Sequence, residues 1–149
     1  MTAPTEGAYI ELSEVPDETF SSGLMGKGWG FKPSKGEVIA PISGTISSIV
    51  LSKHAIGITS ENGLELIVHI GMDTLSLNGE GFKIRVKEGD KVNRGELLMK
   101  FDLKLLKSKN IEATSVMVIT NSEQFKIIEK STHNTFKAGD DIGKFDIIE

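Results

Sequence analysis

One stretch of the chain decides its fold: His54-Ala-Ile-Gly-Ile-Thr-Ser-Glu-Asn-Gly-Leu-Glu-Leu-Ile-Val-His69. Two runs rich in Ile, Leu and Val flank the dipeptide Asn62-Gly63. Asn-Gly is the strongest short-range signal for a two-residue type I′ turn between antiparallel strands. The stretch therefore predicts a β-hairpin that carries one histidine near each of its outer ends.

The expected turn also fixes where the two histidines point. Side chains alternate between the faces of a strand, so a loop made of Asn62 and Gly63 puts His54 and His69 on one face as diagonal neighbours. A three-residue loop would place them on opposite faces, so the prediction depends on the turn. The isoleucines expected beside the two imidazoles are Ile56, Ile58 and Ile67.

The same kind of signal recurs along all 149 residues, where 16 glycines punctuate short β-branched runs. Regular short strands separated by turns predict an all-β protein, an antiparallel sandwich or barrel with a few short helical turns. The expected strands are Ala8–Leu12, Glu37–Ala40, Gly44–Leu51, Ala55–Ser60, Leu64–Ile70, Gly81–Val86, Glu96–Phe101, Ala113–Ile119 and Phe125–Glu129.

Helix is expected in two short places. Asp102 is a candidate N-cap for a helix over Leu103–Lys109, with its leucines turned inward and its lysines at the C-terminal end. A single helical turn is expected around Glu18–Leu24.

Two internal echoes favour a duplicated β unit. Residues Ala3–Gly7 resemble Ala40–Gly44, and Val86–Val92 resemble Phe136–Ile142. The alternative is that turn chemistry repeats wherever turns do. No linker or low-complexity stretch divides the chain, so residues 1–149 are expected to form a single domain.

Composition excludes several classes of protein. The chain has no cysteine, which removes disulfide scaffolds, zinc ribbons and thiol nucleophiles. Its formal net charge of −4 disfavours nonspecific binding to nucleic acid and favours basic protein partners. No apolar run approaches the roughly 18 residues that span a bilayer, and the opening MTAPTEGAYI has no signal-peptide pattern. We therefore expect a cytoplasmic protein without membrane insertion.

The histidine pair points to phosphoryl chemistry. A neutral imidazole nitrogen can attack phosphorus and form a phosphoramidate, and a second imidazole can donate a hydrogen bond to the phosphoryl oxygens. The hydroxyl of Ser52 could fix the tautomer of His54, since the bond of one ring nitrogen decides where the other proton sits. The chain has no Gly-rich Walker-type loop, so the phosphoryl group is expected to come from another protein rather than ATP.

Zinc is the other chemistry that two histidines allow. A zinc site needs three or four ligands, so His54 and His69 would need Asp73 or a partner's carboxylate to complete it. We expect no intrinsic metal or cofactor, and zinc bridged by both histidines and a partner carboxylate stays open. The third histidine, His133, lies in Ser-Thr-His-Asn-Thr and is expected in an exposed loop.

A long motif around the second histidine resembles a known family. The segment Gly63-Leu-Glu-Leu-Ile-Val-His69-Ile-Gly-Met-Asp-Thr-Leu75 is similar to the active-site motif of glucose-type enzyme IIA domains of the bacterial phosphoenolpyruvate-dependent sugar phosphotransferase system. Further matching segments run in order over residues 3–149. They include Val15-Pro16-Asp17, Lys32-Pro33, Ala40–Ile46, Lys53-His54-Ala55, Leu77–Phe82, Phe101-Asp102-Leu103 and Val118–Asn121.

The resemblance implies a phosphocarrier, which we expect to be a monomer. Such domains take a phosphoryl group from the histidine-containing phosphocarrier protein and give it to the IIB domain of a IIBC sugar permease. By motif position His69 carries the phosphoryl group, His54 contacts it, and Ser52 stands behind His54. Partner docking is implied around the histidines, at residues Asp17, Phe20, Leu24, Met25, Val50, Ile67 and Asp73.

Some of these residues also have purely structural interpretations. Phe20, Leu24 and Met25 could be ordinary core residues, and Asp73 could cap a helical turn. Certain relatives begin with an amphipathic segment that attaches to membranes, and this chain opens at the Ala3-Pro4 strand, so that attachment is not expected. Glucose as the sugar rests on the resemblance alone.

Three other classes of protein are alternatives to the phosphocarrier. A zinc peptidase on a duplicated β scaffold needs a His-x-His pair, whereas the chain reads Ile67-Val68-His69. A swinging-arm carrier needs its lysine on an exposed hairpin, and Lys100 falls inside an expected strand. A β-sandwich binding module without chemistry is the third.

Overall fold

A computed structural model describes residues 1–72, 74–131 and 133–147. Within these residues every strand pairing is antiparallel and helix is confined to short segments, so the prediction of an all-β antiparallel fold is confirmed. The strands are β1 Gly7–Ile10, β2 Lys27–Pro33, β3 Glu37–Ile39, β4 Gly44–Ile49, β5 Ala55–Ser60, β6 Glu65–His69, β7 Phe82–Ile84, β8 Lys91–Val92, β9 Leu97–Phe101, β10 Ser115–Ile119, β11 Phe125–Lys130, β12 Thr135–Phe136 and β13 Gly143–Ile147. The helices are α1 Glu18–Ser21 and α2 Leu103–Ser108, with 3₁₀ turns at Leu12–Glu14, Thr74–Leu77 and Ser122–Gln124.

The described residues form three sheets. The largest has eight strands in the order β12-β1-β2-β10-β6-β5-β4-β8, the second has the order β3-β9-β7, and the third pairs β11 with β13. Strand β10 lies between β2 and β6 and is buried along its whole length. The hairpin of β5 and β6 therefore sits inside the main sheet, where its position is held on both sides.

The core is aliphatic with a few aromatic side chains. Trp29 and Phe31 from β2 are fully buried, and they pack in one cluster with Ile56 and Ile58 from β5 and Met117 from β10. Burying such side chains is the main favourable contribution to folding, about 1.5–3 kcal/mol for each. This cluster lies behind the hairpin and fixes the backbone from which the histidines project.

Most strand predictions are confirmed to within two residues, but β2, β8, β12 and β13 were missed. Strand β2 reads Lys-Gly-Trp-Gly-Phe-Lys-Pro, and glycine lowers strand propensity. Gly28 is needed there because a Cβ at this position would collide with the backbone of Met117 in β10. Close backbone approach, not propensity, explains this glycine.

Both helix predictions are confirmed in place and corrected in length. The backbone N–H of Leu105 donates to the Asp102 carboxylate at 3.1 Å, and α2 ends at Ser108 with Lys109 as its C-cap. Helix α1 stops at Ser21 rather than reaching Leu24, since Gly23 adopts a left-handed conformation at φ 80°.

The similarity between the segments Val86–Val92 and Phe136–Ile142 corresponds to two matching turns. The N–H of Lys87 donates to the Asp90 carboxylate at 2.9 Å, and that of Lys137 donates to Asp140 at 2.8 Å. Gly89 and Gly139 have φ of 89° and 91°. The larger duplicated β unit stays a prediction, as does the single domain over residues 1–149.

No helix of the described part of the chain is long and apolar enough to cross a membrane.

Candidate active site: a histidine pair beside the sheet

The imidazoles of His54 and His69 lie against each other. Their ring centroids are 4.7 Å apart and the ring planes are inclined at 83°, an edge-to-face contact. His69 ends β6, and its backbone partner across the hairpin is Ala55. The predicted meeting of the two rings is therefore confirmed.

The prediction that a two-residue turn brings the rings together is wrong. Strands β5 and β6 are joined by the three residues 61–63, with the N–H of Ser60 donating to the Leu64 carbonyl at 2.9 Å. Asn62 does not have the positive φ that a type I′ turn requires, and only Gly63, at φ 85°, is left-handed. A type I turn followed by a left-handed glycine lengthens the loop by one residue and shifts the register.

The shifted register moves isoleucines into the core. Ile56 and Ile58 pair with Val68 and Leu66 and are fully buried, so they do not share the face of His69 as predicted. The alternation would also have sent His54 to that buried face. His54 is the residue before β5 and follows the left-handed Lys53. Its carbonyl still accepts the N–H of Ile70 at 2.8 Å, but its ring lies against His69.

His54 is held by a serine. The Ser52 hydroxyl and the Nδ1 nitrogen of His54 are 2.8 Å apart, and both residues are buried, at 7% exposure. Burial lowers the pKa of His54, and the backbone of Ser52 opposes this shift. With Nδ1 engaged by Ser52, the Nε2 nitrogen is the atom left to face His69 or a ligand.

His69 is kept neutral by its surroundings. Burial, and after it the neighbouring His54, lower its pKa from 6.5 to about 4, because a charged imidazole is disfavoured in both settings. Asp17 and the backbone of Gly71 oppose the shift. At neutral pH the His69 ring therefore has a free nitrogen lone pair, which a nucleophile requires.

The two ring nitrogens of His69 have different environments. Nδ1 is buried and has no hydrogen-bond partner among the described residues, although the Gly71 backbone lies close enough to favour a proton on the ring. The residue as a whole is partly exposed. The exposed part of His69 therefore does not include Nδ1.

Phe20 covers one side of His69. Its ring centroid is 5.1 Å from that of His69, at an inclination of 56°. Phe20 is itself buried and packs with Met25 in the smaller hydrophobic cluster, so the core interpretation and the site interpretation of this residue both describe its contacts.

The rim around the pair is apolar. Leu24 is 90% exposed and Val50 39%, so Leu24 is not a core residue. Ile67 is partly buried on β6. Leu51, at 100% exposure, was missed by the sequence analysis. Its signal was available, because Ile49-Val50-Leu51 breaks the alternation of β4 with a continuous apolar run.

An open hollow of about 680 Å³ lies beside His54. Half of the residues in its wall are aliphatic, and Ser52, His54 and Asn78 add polar atoms. Its lining consists of Ile49, Val50, Leu51, Ser52, His54 and Asn78. A partner side chain of moderate size would fit this hollow next to the imidazole.

The acidic residues have separate outcomes. Asp17 caps α1, where its carboxylate accepts the N–H of Thr19 at 2.9 Å, and its charge also raises the pKa of His69. Asp73 lies outside the described residues.

The third histidine, His133, is exposed in a loop, as predicted, and the centroid of its ring lies 6.0 Å from that of Phe136. In the described ranges no group of three or more His, Asp and Glu residues could hold a metal ion.

Comparison with known proteins assigns the class. Residues 1–125 match the family of the phosphoenolpyruvate-dependent sugar phosphotransferase system described as EIIA 1. Glucose-specific EIIA components of the phosphotransferase system are similar over 138 residues, or 93% of this chain. The one from Halalkalibacterium halodurans is 43% identical with 80% of its length covered, and one from Staphylococcus aureus is 41% identical with 83% covered.

A solved structure agrees with these sequences. The glucose permease IIA from Mycoplasma capricolum superposes with a TM-score of 0.85 at 33% identity, covering 95% of this chain and 92% of that one. The chain belongs to the EIIA family of the phosphoenolpyruvate-dependent sugar phosphotransferase system. It is a phosphocarrier of sugar uptake, and in general terms such a component receives phosphoryl groups from the histidine-containing phosphocarrier protein and relays them to a IIB component. The zinc-peptidase and binding-module alternatives are not supported.

Proposed function

We propose that the chain carries the phosphoryl group on the Nε2 nitrogen of His69. The observation that supports this most directly is the pairing of His69 with His54, one neutral at physiological pH and partly exposed, the other fixed by a serine. Nε2 is the proposed atom because Nδ1 is buried, and a bulky phosphoryl donor needs an open approach.

The transfer moves one phosphoryl group between two imidazoles. The lone pair of His69 Nε2 attacks phosphorus, and the bond between phosphorus and the donor's histidine nitrogen breaks with its electron pair leaving on the donor. In onward transfer a nucleophile of the IIB component attacks the phosphorus, and the bond between phosphorus and His69 Nε2 breaks with its electron pair returning to His69. Such transfers depend on positioning the reactants and on stabilising the phosphoryl oxygens, so imidazoles can carry them out without a cofactor.

His54 supplies the stabilisation in this proposal. In the proposed tautomer the Ser52 hydroxyl donates a hydrogen bond to Nδ1 of His54, and the proton of the ring lies on Nε2, where it can be donated to the phosphoryl oxygens. A donor placed where charge resides on transferring oxygens lowers the barrier. We expect the loss of His54 to slow onward transfer more than acceptance.

Partner docking uses the exposed rim. The apolar residues Leu24, Val50 and Leu51 offer contact area, and the carboxylate of Asp17 attracts basic residues of a partner. Ile67, Met25 and Phe20 form the floor, and Asp73 is proposed as a second acid from its motif position alone. One such surface serves both partners in turn, which requires weak and reversible encounters.

The specific partners follow from the relatives. We propose the histidine-containing phosphocarrier protein as donor and the IIB domain of a IIBC glucose permease as acceptor, because the relatives named above are glucose-specific. The chain acts as a monomer in the cytoplasm in this proposal, and residues 1–149 act as one domain.

Intact-mass measurement tests the proposal. The chain is incubated with phosphoenolpyruvate, the first enzyme of the system and the phosphocarrier protein, and a labile gain of about 80 Da is expected for one phosphoryl group. His69→Gln should show no gain, whereas His133→Gln, the matched control, should gain the same mass as the parent. Labelling of His69→Gln at the parental level would contradict the assignment.

A further inference from the structure

The orientation of His54 needs a cause outside the strands. Ala55 pairs with His69, so regular alternation would send His54 to the opposite, buried face of the sheet with Ile56. Its ring instead lies 4.7 Å from that of His69. The chain must therefore change direction immediately before β5.

The loop between β4 and β5 provides that change. The N–H of Lys53 donates to the Val50 carbonyl at 2.9 Å, which closes a turn, and the N–H of Val50 donates to the Ala55 carbonyl at 3.2 Å. Lys53 has φ 65°, in the left-handed region. The loop is thus a turn, then a left-handed residue, then His54, and only then the strand.

The loop between β5 and β6 shows what the extra residue does. It also has a turn followed by a left-handed residue, Gly63, after which Leu64 pairs directly with Ser60. In the β4–β5 loop His54 is inserted between the left-handed residue and Ala55, the first residue that pairs with β4. On the β6 side the carbonyl of His54 still accepts the N–H of Ile70 at 2.8 Å, so the left-handed Lys53 is the feature that departs from a regular strand.

A lysine is unusual at such a position. Left-handed conformations are ordinary for glycine and tolerated by asparagine, and the other non-glycine residues of the described chain with positive φ are both asparagines, Asn78 and Asn110. Lys53 makes no ion pair within the described residues, so charge pairing does not hold it there. A Cβ built on Gly79 would lie 3.4 Å from Cδ of Lys53, so the lysine stem rests on that glycine.

We propose that Lys53 is a positioning residue for phosphoryl transfer, whose left-handed backbone turns the His54 ring towards His69. This inference rests on the proposed function. It concerns the backbone of residue 53 and assigns no role to the ammonium group. The hydrogen bond between Ser52 and His54 then fixes the ring that the backbone has turned.

Substitutions that differ in backbone preference separate the possibilities. Lys53→Asn and Lys53→Gly accept the left-handed conformation, Lys53→Met keeps the stem and removes the charge, and Lys53→Val resists the conformation because it is β-branched. Lys83→Val is the matched control, since Lys83 is an exposed lysine in the extended strand β7, where valine is favoured.

Two measurements are made on each variant. Nuclear Overhauser contacts between the rings of His54 and His69, together with the His54 tautomer, report geometry without any phosphorylation. Acceptance and onward transfer are then timed separately. We expect Lys53→Val to lose the ring contact and slow onward transfer by about 10-fold to 100-fold, the scale of a misplaced group, with acceptance changed much less. The Asn, Gly and Met variants and Lys83→Val should behave as the parent does.

Other outcomes overturn the inference. Parental ring contact and transfer in Lys53→Val would show that the backbone of residue 53 is not needed. A defect in Lys53→Met equal to that of Lys53→Val would assign the role to the ammonium group. If Lys53→Val does not fold, the other variants still test the inference, because loss of the ring contact in Lys53→Gly or Lys53→Asn would overturn it. A parent that is not phosphorylated on His69 would instead refute the proposed function, while the ring contacts still test the geometry.

Discussion

The two ends of the β5–β6 hairpin are built from similar loops and do different work. At the tip, residues 61–63 form an exposed loop, and a Cβ added to Gly63 would meet nothing within 4 Å. At the other end His54 and His69 meet, Ser52 and Phe20 contact them, and a Cβ on Gly71 would lie 2.5 Å from Cγ2 of Thr74. The tip closes the hairpin through local turn chemistry. The histidine end depends on contacts with other segments, so substitutions there should affect transfer as well as folding.

The largest expected effect is the loss of the second imidazole. His54→Gln should still accept a phosphoryl group on His69 but pass it on about 100-fold more slowly, because the oxygens lose a positioned donor. Rapid-quench measurement of both half-reactions checks this. Onward transfer at the parental rate would remove His54 from the mechanism, and Asn62→Gln at the tip is the control that should change neither rate.

Replacing Gly71 or Gly63, both left-handed, by alanine should lower the free energy of unfolding by different amounts. Gly71→Ala is expected to lower the free energy of unfolding by about 2–4 kcal/mol, because Thr74 is fully buried and its hydroxyl donates to the Ile70 carbonyl at 2.8 Å, so it cannot easily move. Gly63→Ala should cost about 1 kcal/mol, the backbone penalty alone. Denaturant unfolding measures both, and equal losses would contradict the described difference in packing.

Stability should decrease at acidic pH because of the buried histidine end. The folded state excludes a proton from His69 until about pH 4, whereas the unfolded chain binds one near pH 6.5, so the unfolded state binds more protons between these values. The free energy of unfolding should therefore fall as pH drops through this window, by up to about 3 kcal/mol from His69.

Variants separate the contributions to this pH dependence. His69→Gln should lose most of it, and His54→Gln should lose a part, since burial lowers the pKa of His54 in the same direction. A His69→Gln profile that parallels the parent between pH 6.5 and 4 would argue against a neutral, buried His69.

Removing the serine hydroxyl should have a moderate effect. Ser52→Ala loses a bond worth about 1 kcal/mol, which corresponds to onward transfer about 5-fold slower, while Ser52→Thr retains the hydroxyl and should retain the rate. Long-range ¹H–¹⁵N spectra should show a mixed His54 tautomer only in Ser52→Ala. Ser47→Ala, an exposed serine of β4, is the control, and an unchanged tautomer in Ser52→Ala would contradict the role of Ser52.

The smallest expected effect concerns Asp17. Asp17→Asn keeps the capping acceptor for Thr19 and removes the charge, so α1 should persist while association with a basic partner slows by a few-fold at low salt. The difference should vanish above about 0.1 M salt, where screening acts within about 10 Å. A slowdown that does not depend on ionic strength would rule out electrostatic steering.

The sequence predicted the presence of the strands better than it predicted the register in which they pair. Ala55–Ser60 was predicted with its observed bounds because it is a short run rich in β-branched residues that ends at a clear turn signal. The loop after it was misjudged, since Asn-Gly fits a two-residue turn equally well. The side chain of Asn62 instead accepts a hydrogen bond from the Ser60 hydroxyl, which favours the longer loop. Competing local hydrogen bonds of this kind are not readable from a dipeptide.

The site was found through residue chemistry and a resemblance rather than through geometry. His54, His69 and Ser52 do lie together despite the wrong register, because the ring of His54, just before β5, does not follow the alternation of the strand. Burial of Phe20 against His69 depends on α1 packing across the sheet, a long-range contact. Period-two alternation describes strands, and it does not extend to the loop residues where function resides.

The most direct test locates the phosphoryl group on a single atom. The protein is phosphorylated by the phosphocarrier protein with ¹⁵N-labelled histidine, and phosphorus–nitrogen couplings are recorded together with the ring spectra. The account predicts one phosphoryl group, on Nε2 of His69, with the His54 ring shifted but unmodified. A phosphoryl group on His54, or on Nδ1 of His69, would contradict it.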